Sequence, residues 1–458
     1  MTESREARDA RQARQVLPTL RQIADGVGLQ RVRMVAWRDL DDPESGGSEL
    51  HAHRVAQLWA RAGIDVTMET SRASGHPASC TRDGYSVVRR GGRYMVFPRV
   101  AARGVLRWSA PGDALVEIWN GMPFFSPIWH RGPRVTFIHH VHAEMWRMVL
   151  PGALARLGQS VERSLAPPFY RRTKVVTLSE SSRGEIVGTL RLPPQNVVVV
   201  PPGIDPVFSP GGKRSPRPLV ACVGRLVPVK RHSLVIDALV MLKRRHPGLQ
   251  AVIAGEGYMR QQIAEAVRAS GAEDWVQLPG RLPDDQLVDL YRRAWVLVSA
   301  SAREGWGMTI TEAAACGAPA VATKVVGQVD TVDSGVTGLL AADREEFVEA
   351  LDTLLSDDGL REKLSKGALA RASSLTWDAT ARRILQVLAA EVARAKQMDV
   401  DPAIFQLDDG RGAAAPAALW SDVWNRDRDP DMDHPDASRL LSEPSPAPAP
   451  YPPAPAPS

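Results

Sequence analysis

Short runs rich in apolar and β-branched residues alternate with longer amphipathic stretches over most of this chain. In the first half the runs are 32–37, 65–69, 94–97, 114–119, 134–139, 174–178 and 197–200, and each reads as a strand. Between several of them the apolar positions fall at helical spacing. One such stretch is 52–62, with Val55, Leu58 and Trp59; another is 153–165, with Leu154, Leu157, Val161 and Leu165. Strands alternating with helices predict an α/β chain whose parallel sheet is covered by helices.

The pattern breaks at Pro201-Pro202-Gly203-Ile204-Asp205, and proline and glycine recur as far as Pro218. These residues punctuate rather than continue an element, which sets a domain boundary there. A second α/β series follows, with strands at 219–223, 250–254, 275–278, 295–298 and 320–323. Leu234, Val235, Ala238, Leu239 and Leu242 mark one of its helices, and a last amphipathic helix near 378–395 carries Ile384, Leu385, Leu388 and Val392. Past Asp399 the character changes. From 443 to 458 half the residues are proline, interleaved with alanine, a composition that stays extended and disordered because it cannot bury a core. Within this tail Leu419, Trp420, Val423 and Trp424 share one helical face and read either as a docking motif for a protein partner or as plain surface.

A length of 458 residues suits two domains with extensions, and 44% hydrophobic with 24% charged residues is the balance of a globular protein. The formal net charge of +5 admits attraction to phosphates or to an anionic membrane surface. It falls short of the dense basic stripe of a nucleic-acid binder, so no nucleic acid is expected as a partner. The charged N-terminus has no apolar signal-like run, and no segment nears the roughly 18 apolar residues of a membrane span. Cys80, Cys222 and Cys316 form neither a disulfide framework nor a C-x-x-C site, and a reduced, cytoplasmic setting follows.

The densest chemistry lies between Arg303 and Thr323. A strand ends at Val298, a Gly305-Trp306-Gly307 bend opens a helix near Thr309, and Gly317 stops it after Cys316. Free backbone N–H groups and a positive helix end beside a glycine turn suit a phosphate. Glu304 and Glu312 flank that turn at E-x₇-E spacing, and carboxylates accept from hydroxyl-rich ligands such as a sugar and a ribose. Taken singly, each is equally well a surface or first-turn helix acid. A second signal, Gly224-Arg225-Leu226-x-x-x-Lys230, follows the first strand of the second series. Two cations at the C-terminal edge of a parallel sheet stand where open α/β folds bind ligands, and there they would stabilise a departing diphosphate.

These segments, with Ala315-Cys316-Gly317-Ala318-Pro319, resemble the retaining GT-B glycosyltransferases of the large family four over about residues 32–396. Trp306 replaces the family's usual phenylalanine, and Gln328-Val329-Asp330 stands where many members have Gly-x-Pro-Glu. The resemblance implies a GT-B fold, two Rossmann-like lobes facing across a cleft. The divisions are an extension 1–29, an acceptor lobe 30–203, a donor-nucleotide lobe 204–376, a helix 377–396 returning to the first lobe, and a low-complexity tail 397–458. It implies a nucleoside diphosphate sugar as donor, a lipid, polysaccharide or small-molecule acceptor, and neither metal nor other cofactor. Arg225 and Lys230 would grip the diphosphate with amides at Gly307, Met308 and Thr309. Glu304 would face the donor sugar, Glu312 the ribose, and the base would lie near Leu278 and Arg281.

In the first lobe Gly46-Gly47-Ser48-Glu49 precedes a helix; such pairs are commonly plain turns, but the family's matching loop approaches donor and acceptor. His139, His140 and His142 follow a strand. The family places a histidine here near the transferred sugar, and His139 is the first choice with His140 next. His-x-His without further ligands at spacing makes a poor metal site. Gly255-Glu256-Gly257 is not a dinucleotide fingerprint, since Arg260 stands where the third glycine belongs. Residues 151–174 set Arg156, Arg163, Arg171, Arg172 and Lys174 against Glu162 along an apolar stripe. The plainer reading is a core-facing helix with a solvated basic face; the other is a peripheral contact with an anionic membrane. Acceptor specificity is expected from 71–99 and 120–146. Two rival readings remain: a sugar-nucleotide epimerase on the same fold, which needs no acceptor, and a non-catalytic nucleotide-binding scaffold.

Overall fold

Residues 18–106, 113–143 and 145–405 are described by the computed structural model. Residues 1–17 and 406–458, the latter including the Leu419, Trp420, Val423 and Trp424 motif, lie outside the described residues.

The first lobe contains β1 (Arg31–Val35), β2 (Asp65–Thr70), β3 (Ser79–Arg82), β4 (Tyr85–Arg89), β5 (Asp113–Ile118), β6 (Arg134–Phe137), β7 (Lys174–Thr177) and β8 (Val197–Val199). They form one sheet in the order β3-β4-β2-β1-β5-β6-β7-β8, parallel except for the β3–β4 hairpin. The second lobe contains β9 (Leu219–Val223), β10 (Gln250–Ala254), β11 (Val276–Gly280), β12 (Val296–Ser299), β13 (Ala320–Thr323) and β14 (Gly338–Ala341), ordered β11-β10-β9-β12-β13-β14 and wholly parallel. Both orders reverse direction beside the first strand, between β1 and β5 and between β9 and β12. In such doubly wound sheets the loops leaving these strands diverge and open a crevice.

Three departures from the sequence pattern have identifiable causes. The run 94–97 is no strand: Tyr94 and Met95 are exposed, and Val96 begins the helix Val96–Leu106. A short apolar run lacks enough length to distinguish the two periods. The hairpin β3–β4 is absent from that pattern because its outer strand is polar, although Asp83-Gly84, both at positive φ, form the two-residue turn that favours such hairpins. In the stretch 153–165, the helix Gly152–Ser160 continues as a π-helical turn Val161–Leu165, and the core-facing reading of its leucines fails. Leu154, Leu157 and Leu165 are exposed, while Ala155, Gly158 and Glu162 face inward.

The helix Trp377–Lys396 leaves the second lobe and packs in the core of the first. Ala381, Ile384, Leu385, Leu388 and Val392 join Ile23, Val55, Phe137 and Trp59 there, and the Trp59 indole N–H donates to the Ala381 carbonyl at 3.0 Å. At roughly 2 kcal/mol for each large buried aliphatic side chain, this segment is an integral part of the first lobe.

Candidate functional site

The loops at the two switch points meet across the cleft. After β9, Gly224 at φ +159° turns the chain, Leu226 is buried beneath it, and the 3-10 turn Pro228–Lys230 presents Lys230. Arg231, at positive φ, donates to the carbonyls of Ala300 (2.6 Å) and Ser301 (3.1 Å), tying this turn to the end of β12. Gly255 and Gly257 make room for it. A Cβ on Gly255 would lie 1.8 Å from the Gly224 carbonyl oxygen, and one on Gly257 would lie 2.3 Å from that of Leu226. These two glycines have a packing role beyond the turn read from the sequence.

Lys230 ion-pairs with Glu304, whose Oε1 also accepts from the Ser301 hydroxyl at 2.7 Å. Burial would raise the Glu304 pKa, but the Lys230 charge and these hydrogen bonds outweigh it and hold the carboxyl below its ordinary value. Glu304 is therefore ionised at neutral pH. Gly307 at φ +104° then opens the helix Met308–Ala315, so Met308 and Thr309 lie in its first turn. Glu312, one turn further, accepts from the Tyr291 hydroxyl at 3.1 Å. Burial, with lesser repulsion from Asp284 and Asp205, raises its pKa to about 7 against the opposing Tyr291 bond. Leu278 and Arg281 lie on and just beyond β11, the edge strand separated from β9 by β10; Leu278 is part-buried and Arg281 exposed.

In the first lobe Gly46 caps and Gly47 begins the helix Gly47–Arg61. The buried Glu49 carboxylate holds the turn closed: it accepts from Gly46 N–H at 2.8 Å and the Ser48 hydroxyl at 2.9 Å, and pairs with Arg38 at 3.2 Å. A Cβ on Gly46 would come 3.3 Å from Arg225 Nε, and one on Gly47 would come 3.2 Å from Met308 Sδ. Arg225 reaches back to donate to the Glu44 carbonyl at 3.3 Å. The structure thus brings Gly46, Gly47, Arg225 and Met308 together, next to the loops bearing Lys230, Glu304 and Gly307.

The three histidines divide their orientations. His139, the first choice from sequence, turns inward: its Nε2 is 3.2 Å from His51 Nδ1, and the two rings meet edge to face. His140 is the one of the three that senses the Glu304 charge, it shares the influence of Arg303 with His142, and it stacks on His142 with ring centroids 4.8 Å apart. Burial, reinforced by His142 and Arg303, drives the His140 pKa well below the ordinary value, so its ring is neutral. Its Nε2, like His139 Nδ1 and the Trp306 Nε1, is buried without a hydrogen-bond partner among the described residues. Buried polar atoms are ordinarily satisfied, and such exceptions mark places where a ligand can complete the bonding. Among the described residues, no group of three or more His, Cys, Asp or Glu is placed to hold a metal ion.

Further contacts close the lobes on each other. Asp330 accepts from the backbone N–H groups of Glu180 (3.0 Å) and Ser181 (3.3 Å) and from the Ser181 hydroxyl, capping a first-lobe helix. Gln328 accepts from the Thr323 hydroxyl at 2.8 Å. Within the Gln328-Val329-Asp330 segment it is Asp330 that anchors one lobe to the other, while Gln328 ties the segment to Thr323 and Ser299 of its own lobe. Arg303 pairs with Glu185, and the Gly305 carbonyl accepts from Ser179 Oγ at 3.1 Å.

Comparison with known proteins agrees with this geometry. Residues 205–371 match the family model described as glycosyl transferases group 1, and residues 45–208 match that of glycosyltransferase family 4. A D-inositol 3-phosphate glycosyltransferase of Kribbella flavida is 34% identical over 415 residues, covering 78% of this chain and 95% of the relative. One of Frankia alni is 33% identical over 235 residues, covering 47% of this chain and 58% of the relative. Among solved structures, sucrose-phosphate synthase from Thermosynechococcus elongatus superposes with a TM-score of 0.68 at 20% identity, over 80% of this chain and 100% of that one. Anabaena HepE, solved in complex with UDP and glucose, gives 0.62 at 18% identity, over 79% and 100%.

Proposed function

This chain belongs to the group 1 glycosyl transferases of family four, and from that premise we infer that it moves a sugar from a nucleoside diphosphate sugar to an acceptor hydroxyl with retention and without a metal. One observation carries the reading. The Gly46–Gly47 turn of one lobe faces Arg225 and Met308 of the other, beside an ionised Glu304 paired with Lys230.

In this reaction the bond from the anomeric carbon to the diphosphate oxygen breaks. The acceptor oxygen bonds to the same carbon on the face being vacated, and its proton passes to a departing diphosphate oxygen. The charge that grows on the diphosphate is what catalysis must stabilise. Arg225 offers its planar fork, and Lys230 has N–H donors to spare beyond its bond to Glu304. The open amides around Gly307, Met308 and Thr309 add a positive helix end. Glu304 accepts from the sugar's hydroxyls and Glu312 from the ribose, while Leu278 and Arg281 border the base. The neutral His140, which lies near the charges of Glu304 and Arg303 while His139 Nε2 meets His51, offers a donor or acceptor to the transferred sugar. We place the reaction in the cytoplasm, a setting that suits three free cysteines.

The test is a thermal-shift panel of UDP, GDP, ADP and their sugar conjugates in the presence of a chelator. A ligand at a hundred times its dissociation constant should add roughly 2.7 kcal/mol. The expected result is a selective rise with one base. D-inositol 3-phosphate, the acceptor in the relatives' names, then heads an acceptor screen that extends to lipids and polysaccharides. Stabilisation only when metal is restored would overturn metal independence. Sugar conversion without any acceptor would point to an epimerase, and folded protein that no nucleotide stabilises would point to a scaffold.

A further inference from the structure

The arch 152–170, made of the helix Gly152–Ser160, the π turn Val161–Leu165 and the helix Pro167–Tyr170, carries two features unrelated to the donor site. The first is apolar. Leu154, Leu157, Leu165 and Phe169 are 53%, 59%, 57% and 45% exposed. Ile128, 59% exposed, lies on the helix Ser126–Trp129 that touches the end of the arch. The second is cationic. A cavity of about 630 Å³ beside these side chains is lined by Arg156, Arg163, Arg171 and Arg191, with Ser160 and Ser164 among them. No carboxylate lines it. Among the described residues none of the four guanidinium groups forms an ion pair. Glu162, the arch's acid, is buried and spent internally, accepting from His142 N–H (2.7 Å), Ala143 N–H (3.1 Å) and the Trp146 indole (2.9 Å).

We propose that this arch docks the protein on an anionic phospholipid surface, its exposed leucines entering the acyl boundary and its arginine-lined cavity receiving headgroup phosphates. Four cations around one cavity, with no ion pair among the described residues, repel each other and are relieved by an anion with several acceptor oxygens. A protein surface could neutralise the arginines, but Leu154, Leu157, Leu165 and Phe169 are exposed and none of them lines the cavity. A bilayer supplies phosphates at one level and hydrocarbon just beneath, which matches guanidinium groups set beside protruding leucines. Among the described residues no helix is long and apolar enough to cross a membrane, so the contact is peripheral.

The location has a consequence. The helix Met145–Val149 packs on Gly152–Ser160 and also touches the turn Pro228–Lys230, so the docking face adjoins the cleft. A membrane-borne acceptor hydroxyl would then be delivered beside the donor, a step that rests on the transferase reading above. The docking itself does not.

The experiment is co-sedimentation of the full chain with vesicles of phosphatidylcholine alone or with a minority of phosphatidylglycerol. Binding is expected to the anionic vesicles, weakened by salt, and absent with phosphatidylcholine alone. The pair Leu154→Glu and Leu157→Glu, and separately the pair Arg156→Glu and Arg163→Glu, should each lower partitioning roughly tenfold or more. Both variants should keep the wild-type melting temperature and nucleotide-induced thermal shift, which separates lost docking from lost folding or a failed donor site. Indifference to lipid charge, or unchanged partitioning in either variant, overturns the proposal. So does inorganic phosphate that stabilises the protein through these arginines while vesicles do not bind, since the cavity would then be a site for free phosphate.

Discussion

In the first lobe, buried carboxylates hold the loops at the sheet edge; in the second, glycine turns and main-chain contacts do most of that work. Glu49 closes the Gly46 turn. Glu117 accepts from Phe124 N–H at 2.6 Å, Ser126 N–H at 3.2 Å and the Tyr170 hydroxyl at 2.6 Å. Glu162 gathers the loop after His140. Their ionisation differs with their partners. Burial raises Glu117 and Glu162, whereas Arg38 and local hydrogen bonds outweigh burial and lower Glu49. In the second lobe, Gly224, Gly255 and Gly257 let the loop after β9 lie flat against the end of β10. A lobe held by single side chains can be loosened one loop at a time. A lobe held by close-packed backbone tolerates surface change but not an added Cβ.

The largest expected effect falls on the chemistry carried by the second lobe. Lys230→Ala or Glu304→Ala should each lower kcat by on the order of a thousandfold while the melting curve remains cooperative. Normal turnover in both would detach the pair from catalysis. Next is Gly255→Ala, whose Cβ must displace the Gly224 backbone from a position of strained φ; a loss of about 3 kcal/mol is expected in denaturant unfolding. A neutral result would end the contrast drawn for this lobe. Glu162→Ala strands three buried donors in the first lobe and should cost about 2 kcal/mol. Glu162→Gln should restore part of it, because one oxygen acceptor remains.

The smallest expected effect is in pH. With its pKa raised to about 7, Glu312 favours the ligand-free fold when protonated. That contribution is complete below the ordinary glutamate pKa, near 4.5, and is lost as pH rises through about 7. Nucleotide binding should run the other way under the proposed role of Glu312, in which its carboxylate accepts from the ribose. Affinity should fall by roughly tenfold between pH 8 and pH 6, read by calorimetry, and Glu312→Gln should flatten the profile. An equal slope in that variant would move the titration elsewhere.

The second lobe was the more legible because its candidate site is carried by two short segments. Arg225 and Lys230 fall within one loop, and Glu304 to Glu312 within one turn and helix. Local spacing suffices to read such a constellation. The first lobe resisted the same reading. The two-residue turn Asp83-Gly84 did carry a hairpin signal, whereas nothing near Glu162 announces its partners in the preceding loop, nor anything near Asp330 its partners far along the chain. That His139 turns inward could not be read without knowing which side of a short segment His51 occupies.

Apolar periodicity, glycine placement and the spacing of charged residues determined the two α/β lobes and the glycine turn that opens the helix Met308–Ala315, because each follows from interactions within a few residues. Tertiary structure alone decided that Asp330 caps a helix of the opposite lobe and that His139 bonds inward. It also decided that Leu154 and Leu157 face outward beside four arginines. Periodicity shows that a helix has an apolar side. Whether that side meets the core or the outside depends on which neighbours occupy the core, and here Ala155, Gly158 and Glu162 took that place.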